Sequence, residues 1–223
     1  MRIKSLLYLV FFLSLFVINV KAQEASIEIA RIKYRGGGDW YNDPSALRNV
    51  IRYANEHLPI LLNQRYVDVE LGSTELLNYP FAFITGHGII EANEPEIENL
   101  RNYLNSGGFL YADDDYGLDV SFRELIKRVF PNEKLIELPF NHTMYKVPYS
   151  FPKGVPKVHE HDGKAPQGFA LFKNGKMVVY YTYESNPSDG WADPEIHDTP
   201  KALRKRALQF GVNLFYFALS QVN

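Results

Sequence analysis

The chain has 223 residues, no cysteine and a formal net charge of −2 with histidine neutral, and 14% of its residues are aromatic. The absence of cysteine excludes disulfide bonds and any chemistry that depends on a thiol. The slightly acidic balance argues against nucleic acid as a partner.

Residues 1–22 have the pattern of a secretory signal peptide. Two basic residues precede an apolar run over 6–20, and Ala22 stands at the −1 position of a cleavage site before Gln23. An uncleaved membrane anchor is the alternative, because the apolar run approaches the length that spans a bilayer. We expect an exported protein, periplasmic or extracellular. It is not expected to be a lipoprotein, because no cysteine is present to carry the lipid.

The remaining residues, 23–223, are predicted to form a single domain. The predicted leader holds three basic residues and no acidic one, which leaves 21 Lys and Arg against 26 Asp and Glu, a charge of −5. No internal repeat or low-complexity tract divides this part of the chain. It is long enough to bury a substantial core.

Short apolar runs predict five strands in the first two thirds of the domain. The runs cover 27–34, 67–71, 81–85, 109–112 and 135–138.

Helices are predicted between these strands. One begins with Asp43 as N-cap before Pro44, a second opens at Pro95 and ends at a diglycine, and a third has Ser121 and Glu124 at capping-box spacing. Strands and helices that alternate in this way predict an α/β fold with a mainly parallel sheet, covered on both faces.

The C-terminal half is predicted to differ. Residues 140–168 are expected to form a long ordered loop, rich in Pro, Gly and His. Asn174-Gly175 between two apolar runs is a strong β-hairpin signal. A second polar loop follows over 184–198, and Pro200 opens a further helix.

Three polar segments follow the first, third and fourth predicted strands: 36–43, 85–88 and 113–117. Ligands of open α/β sheets bind outside the carboxyl ends of the strands, so we expect these segments to converge on one site. Its candidate catalytic residues are Asp113, Asp114 and Asp115. These three are not needed as helix caps, because Asp119 or Ser121 can cap the next helix.

The other two segments each allow a functional and a purely structural interpretation. The glycines at 36–38 can cradle an anion with their amides or can form a conformationally demanding turn. His87 can be catalytic or can be a hydrogen-bonded turn histidine. We include His87 among the candidate catalytic residues.

A histidine cluster lies in the long loop. His159 and His161 are two residues apart, so in extended chain they point the same way and can converge on one divalent metal, with Asp162 as a candidate third ligand. Two imidazoles and a carboxylate would make an open, hydrolytic type of site. Without metal, either histidine can form an acid–base couple with an aspartate of the triplet. A divalent metal is therefore the only cofactor that we consider.

Candidate binding residues surround these groups. Tyrosine and tryptophan can supply walls for flat polar ligands such as sugars. The candidates are Gly37, Gly38, Asp39, Trp40, Tyr41, Gly86, Tyr116, Glu184 and Trp191.

Several motifs together resemble a known bacterial family. They are the segments 33–44, 85–88, 107–117, 159–163 and 180–185. In order and content they resemble domain of unknown function 4159, which is placed in the class I glutamine amidotransferase-like superfamily. The resemblance implies a flavodoxin-like three-layer α/β/α sandwich and an envelope location, and it implies no reaction.

That superfamily adds one expectation. Its amidotransferases carry a nucleophilic cysteine in a sharp turn after a central strand, and the segment that resembles this turn holds the three aspartates. Because the chain has no cysteine, glutamine hydrolysis through a thioester is excluded.

Three functions stay open at this point. The first is an exported hydrolase of a polar substrate such as a glycan or peptide, which requires a carboxylate and a histidine in contact. The second is a binding module for a polar small molecule, glycan or peptide, which requires aromatic walls. The third is an interaction domain with envelope protein partners, in which the carboxylates serve internal hydrogen bonds.

Overall fold

The computed structural model describes residues 26–159 and 161–221, so the predicted signal peptide and Glu160 lie outside the described residues. One sheet contains all the named strands. They are β1 (Ile29–Lys33), β2 (Val67–Glu70), β3 (Phe81–Ile84), β4 (Phe109–Asp113), β5 (Ile136–Glu137), β6 (Gln167–Lys173) and β7 (Lys176–Tyr183). Their order across the sheet is β2-β1-β3-β4-β7-β6-β5.

The sheet is mostly parallel. Each neighbouring pair from β2 through β1, β3 and β4 to β7 is parallel, as the alternating sequence pattern predicts. β6 is antiparallel to β7, and their turn is the predicted hairpin at Asn174-Gly175. β5 is antiparallel to β6, so the strand predicted at 135–138 forms at 136–137 but does not extend the parallel part of the sheet. Both sides of β4 are occupied, by β3 and β7, and β5 lies at the free edge of the hairpin.

Five α-helices occur in the described residues. They are α1 (Ala46–His57), α2 (Glu94–Asn105), α3 (Asp119–Val129), the short α4 (Pro194–His197) and α5 (Lys201–Ser220). Three 3₁₀ segments lie at Thr74–Asn78, Thr143–Tyr145 and Asp189–Trp191. No described helix is long and apolar enough to cross a membrane.

The helix starts correct two predictions. Asp43 is not an N-cap: its φ is +45°, and α1 begins at Ala46 after Ser45. Ser121 and Glu124 form no capping box, because α3 already begins at Asp119. The Ser121 hydroxyl instead accepts the Ile90 N–H and joins α3 to a neighbouring loop.

α2 has the capping box that α3 lacks. The Asn93 side chain accepts the Glu96 N–H, and the Glu96 carboxylate accepts the Asn93 N–H. This reciprocal pair satisfies two backbone donors that a helix start leaves free.

Two hydrophobic clusters cover the two faces of the sheet. Alternate residues of β4 divide between them, with Tyr111 in one cluster and Leu110 in the other. Helices α1 and α5 supply the first cluster, and α2 and α3 supply the second. Each buried large side chain contributes roughly 1.5–3 kcal/mol of transfer free energy, so these clusters fix the strand ends at which the polar segments meet.

Candidate functional site

The loops after β1, β3 and β4 are hydrogen-bonded to one another. The His87 N–H donates to Asp39 Oδ1 at 2.5 Å, and the Asp39 N–H donates to the His87 carbonyl at 3.3 Å. The Gly88 N–H donates to the Tyr116 carbonyl at 2.9 Å. The three segments that the sequence places after neighbouring strands therefore lie side by side.

Two glycines make this close approach possible. A Cβ at Gly38 would lie 2.5 Å from the Tyr34 hydroxyl oxygen and 2.8 Å from the His87 carbonyl oxygen. Gly86 has φ +134°, and its Cβ would also lie 2.5 Å from the Tyr34 hydroxyl. Gly37 has φ +88°, but no atom lies within 4 Å of an added Cβ. The glycines at 36–38 thus form a conformationally demanding turn. At Gly38 the neighbouring atoms leave no space for a side chain.

His87 faces two carboxylates at this edge of the sheet. Its Nδ1 lies 3.1 Å from Asp39 Oδ2 and 3.3 Å from Asp115 Oδ2. The His87 side chain is 53% exposed, whereas that of Asp115 is 4% exposed. Nε2 of His87 has no hydrogen-bond partner among the described residues, so it is available to a ligand from solvent.

Asp115 is held from two further sides. The Asn186 amide donates to Asp115 Oδ1 at 2.6 Å and to the Asp115 carbonyl at 2.7 Å. The Asn42 amide donates to Asp115 Oδ2. The carboxylate is therefore fixed in orientation, with one oxygen directed at His87.

The pKa values of both members of this pair are raised. Burial raises the pKa of Asp115 to about 7, the charge of Asp189 adds to the rise, and His87 opposes it. Partial burial lowers the pKa of His87, but the combined charges of Asp115 and Asp39 outweigh that effect and raise it. A half-exposed imidazole beside a carboxyl group with a pKa of about 7 can exchange a proton with a ligand.

Asp113 is used inside the protein. Its carboxylate accepts the Thr182 hydroxyl at 2.5 Å, and the Ser188 N–H and hydroxyl at 2.8 and 2.6 Å. Burial raises its pKa to about 7, although these donors oppose the rise. The structure thus places Asp113 among partners that connect β4 to the loop after β7.

Asp114 is also used inside the protein. Its carboxylate accepts the Leu118 N–H at 2.8 Å just before α3, and the Tyr181 hydroxyl lies 3.4 Å away. Burial raises the pKa of Asp114, an effect that the Leu118 bond opposes. Of the three candidate aspartates, Asp115 is the one that faces a histidine.

His159 and His161 are directed to different partners. His159 Nδ1 lies 2.9 Å from Asp189 Oδ2, whereas the His161 ring packs at a tilt against Tyr116 with ring centroids 4.8 Å apart. The Asp162 carboxylate lies 3.3 Å from Lys164 Nζ, and its N–H donates to Glu184. The ring centroids of His159 and His161 lie 4.9 Å apart, but no group of three potential metal ligands in the described part of the chain combines them with Asp162.

A small polar pocket lies beside this loop. It has a volume of about 220 Å³, and its lining includes Asp114, Tyr116, His161, Asp162 and Glu184. All five are candidate residues of the sequence analysis, from the C-terminal loops and the segment after β4. The pocket adjoins the His87–Asp115 pair through the consecutive residues Asp114 to Tyr116.

The aromatic candidates separate into two groups. Tyr41 and Tyr116 are exposed at the edge, where they can contact a ligand. Trp40 is partly buried, with the cations of Arg31 and Lys33 over its ring. Trp191 is only 1% exposed, and its Nε1 donates to the Ala207 carbonyl, so it is a core residue and not a wall of the site.

A second acid–base cluster contains residues that were not predicted. Asp43, Asp189 and His197 each place one potential ligand atom within 4.8 Å of the others. Burial raises the pKa of Asp189 to about 7, and His197 opposes that rise. Partial burial lowers the pKa of His197, but Asp189 and Asp43 outweigh it and raise the value. The signal available in the sequence was a second polar loop, and nothing in its spacing selected Asp189 or His197.

A comparison with protein families gives one match. A family model described as domain of unknown function (DUF4159) matches residues 28–219. No curated protein matches the chain. The matched range contains every residue of the two clusters described above.

Proposed function

We propose that this chain, which belongs to the family described as domain of unknown function (DUF4159), is a hydrolase whose acid–base centre is His87 with Asp39 and Asp115. The substrate class that we propose is a polar glycan or peptide outside the cytoplasm. Export rests on the signal-peptide pattern of residues 1–22.

The observation that supports this proposal is the contact between His87 and Asp115. The imidazole is half exposed, its Nδ1 faces two carboxylates, and its Nε2 is free of described partners. Asp39 also accepts the His87 backbone N–H and so fixes the position of the ring. An imidazole held in this way can take a proton from an attacking water at Nε2 and return it to a leaving group.

Asp115 has two roles in this proposal. Its charge stabilises the imidazolium that forms when His87 accepts a proton. Its buried position, with Asn42 and Asn186 as hydrogen-bond donors, limits the reorganisation that accompanies proton transfer. Both asparagines act by positioning the carboxylate.

The finer fold placement is part of the same proposal. We propose a flavodoxin-like three-layer sandwich of the class I glutamine amidotransferase-like superfamily. Support comes from helices on both faces of a mostly parallel sheet and from the turn after β4 that holds the aspartates. The reaction would differ from the cysteine-dependent one, because the chain has no cysteine.

A non-catalytic binding or interaction domain is the second candidate. The observation that favours it is that the carboxylates of Asp113 and Asp114 accept hydrogen bonds from donors inside the protein. In that case the edge would bind a ligand or an envelope protein, and His87 would serve as a hydrogen-bonding contact.

The test is a hydrolysis screen with matched histidine variants. Purified protein is incubated with oligosaccharides and oligopeptides between about pH 5 and 8, with and without added divalent metal, and products are identified by mass spectrometry. We expect turnover that falls by about 10²- to 10⁴-fold in His87→Ala, the usual contribution of a general acid–base group. His57→Ala is the control, because His57 lies at the far end of α1.

Asp115→Asn tests the pair itself. It should lower kcat and change the pH–rate profile, since the variant cannot stabilise the imidazolium. Absence of products from every substrate class, or full activity in His87→Ala, would refute the hydrolase and favour the binding domain.

A further inference from the structure

A cluster of potential ligands lies close to the His87–Asp115 pair and is not needed by it. His197 Nε2 lies 2.7 Å from Asp43 Oδ2 and 3.9 Å from Asp189 Oδ1. Asp43 follows β1, whereas the other two residues come from the loop and the short helix after β7. The fold thus joins two carboxylates and an imidazole from segments 154 residues apart in sequence.

Asp189 presents an unused oxygen to this cluster. The residue is only 3% exposed, and its Oδ2 pairs with His159 Nδ1 at 2.9 Å. Its Oδ1, the atom that faces His197, is buried and has no hydrogen-bond partner among the described residues. A buried carboxylate oxygen without a partner is costly, so this atom indicates a missing positive or donor group.

Asn186 gives a second observation of the same kind. Its side chain is completely buried, and its amide nitrogen donates to Asp115. Its Oδ1 is buried without a hydrogen-bond partner, as is Oδ1 of Asn42, which is adjacent to Asp43 in sequence. Unpaired buried acceptor oxygens therefore occur on Asp189 itself and on the two asparagines that hold Asp115.

The charge balance points in the same direction. Four carboxylates, those of Asp39, Asp43, Asp115 and Asp189, lie in this region, and their ion-pair partners among the described residues are all histidines. Lysine and arginine contribute no ion pair to these four groups in the described part of the chain. Without another cation, the charge of these carboxylates is balanced only by imidazoles and by protonation of the carboxyl groups themselves, whereas a divalent cation would compensate it directly.

We propose that Asp43, Asp189 and His197 bind one divalent transition-metal ion, with zinc preferred over magnesium and calcium. The imidazole favours zinc, because magnesium and calcium prefer sites made only of oxygen ligands. Three protein ligands leave a position open for water, as in zinc sites that do chemistry. His159, which holds the second oxygen of Asp189, is a positioning residue for this ligand.

The proposal goes beyond the hydrolase proposal, because metal binding is measured without substrate. Loss of hydrolysis in the screen above would leave it unaffected. Equally, failure to bind metal would leave the His87–Asp115 pair as it is.

The experiment is isothermal titration calorimetry of the purified protein, made without a polyhistidine tag and stripped with chelator, against zinc and magnesium chloride. We expect one zinc equivalent and much weaker magnesium binding. Asp43→Asn and His197→Ala should each weaken zinc binding at least about 10-fold, because each removes a ligand. Circular dichroism would show that both variants fold, and Asp189→Asn is added if it folds.

Two controls separate this site from its neighbours. Glu195 lies on α4, two residues from His197. The substitution Glu195→Gln removes one negative charge without removing a proposed ligand. Asp162→Asn tests the ligand set that the sequence suggested. Unchanged zinc affinity in both controls supports the assignment. No zinc binding by the unmodified protein, equal binding in Asp43→Asn and His197→Ala, or loss in Asp162→Asn would overturn it.

Discussion

Asp113 and Asp115 are two residues apart at the end of one strand, yet their surroundings differ. Both are buried, and burial raises the pKa of each to about 7. Asp113 meets three donors from Thr182 and Ser188, whereas Asp115 faces His87 and lies near other carboxylates. A shifted pKa therefore does not identify a functional carboxylate by itself. What distinguishes Asp115 is its contact with His87, a side chain that a ligand in solvent can also reach.

The strongest test of this contrast is a pair of alanine substitutions. Asp113→Ala would leave the Ser188 N–H and two hydroxyls without their acceptor, and we expect a loss of about 3 kcal/mol or more in the free energy of unfolding. Asp115→Ala should cost about 1 kcal/mol, because relief of repulsion from Asp189 offsets the lost amide bonds. Urea unfolding measures both. Equal losses in the two variants would remove the distinction.

The pH dependence of stability tests what the two aspartates share. Asp113 and Asp115 have folded pKa values of about 7, above the value of 3.8 for a free side chain, so the native state binds more protons than the unfolded state between these values. Stability should therefore fall as pH rises through that window. The raised pKa values of His87 and His197 extend the fall above pH 6.5. Burial lowers the pKa of His142, and this shift opposes the trend.

We expect the free energy of unfolding to be lower by about 3–5 kcal/mol at pH 8 than at pH 5, because each of the two carboxyl groups contributes a loss of about 1.4 kcal/mol per pH unit up to its folded pKa. The measurement is urea unfolding across this range, with chelator present to exclude metal effects. Asp113→Asn and Asp115→Asn should each flatten the slope. Stability that increases toward pH 8 would show that the carboxyl groups are not held in the protonated form by burial.

Smaller effects than at Asp113 are expected at two glycines, which extend the comparison to the loops. Gly38→Ala should lower the free energy of unfolding by about 1–3 kcal/mol, because its Cβ would meet Tyr34 and the His87 carbonyl. Gly37→Ala should cost only about 1 kcal/mol, the strain of a positive φ without a clash. Thermal unfolding compares them directly. A larger loss in Gly37→Ala would mean that conformation, and not close packing, determines this turn.

The sequence predicted the parts of the fold that depend on local patterns. β3 and β4 are continuous apolar runs, and Asn174-Gly175 has the turn chemistry of a hairpin, so each could be identified from a few residues. The proximity of the loops after β1, β3 and β4 could also be predicted, because the carboxyl ends of neighbouring parallel strands lie at the same edge of a sheet.

The long-range parts could not be predicted in this way. His197 meets Asp43 across 154 residues, and no local pattern records that contact. Asp-Pro is a common helix start, so the sequence predicts Asp43 as an N-cap. In the structure Asp43 has a positive φ and does not cap α1. Trp191 was taken for a binding residue because it lies in a polar loop, but a 3₁₀ turn directs it into the core.

The pairing of β4 with β7 has a consequence for folding kinetics. The parallel strands β1 to β4 form one group, and the β6–β7 hairpin with β5 forms a second group. The two groups are joined in the sheet by the pairing of β4 with β7. Closing that ladder brings together residues such as Asp113 and Thr182, which are 69 positions apart, so it carries a large loop-closure entropy. The two groups should behave as separate foldons in native-state hydrogen exchange, with the seam between them opening first. Asp115 of the candidate site is held by Asn186 across this seam, so this part of the site would be assembled in the last step of folding and lost in the first step of unfolding.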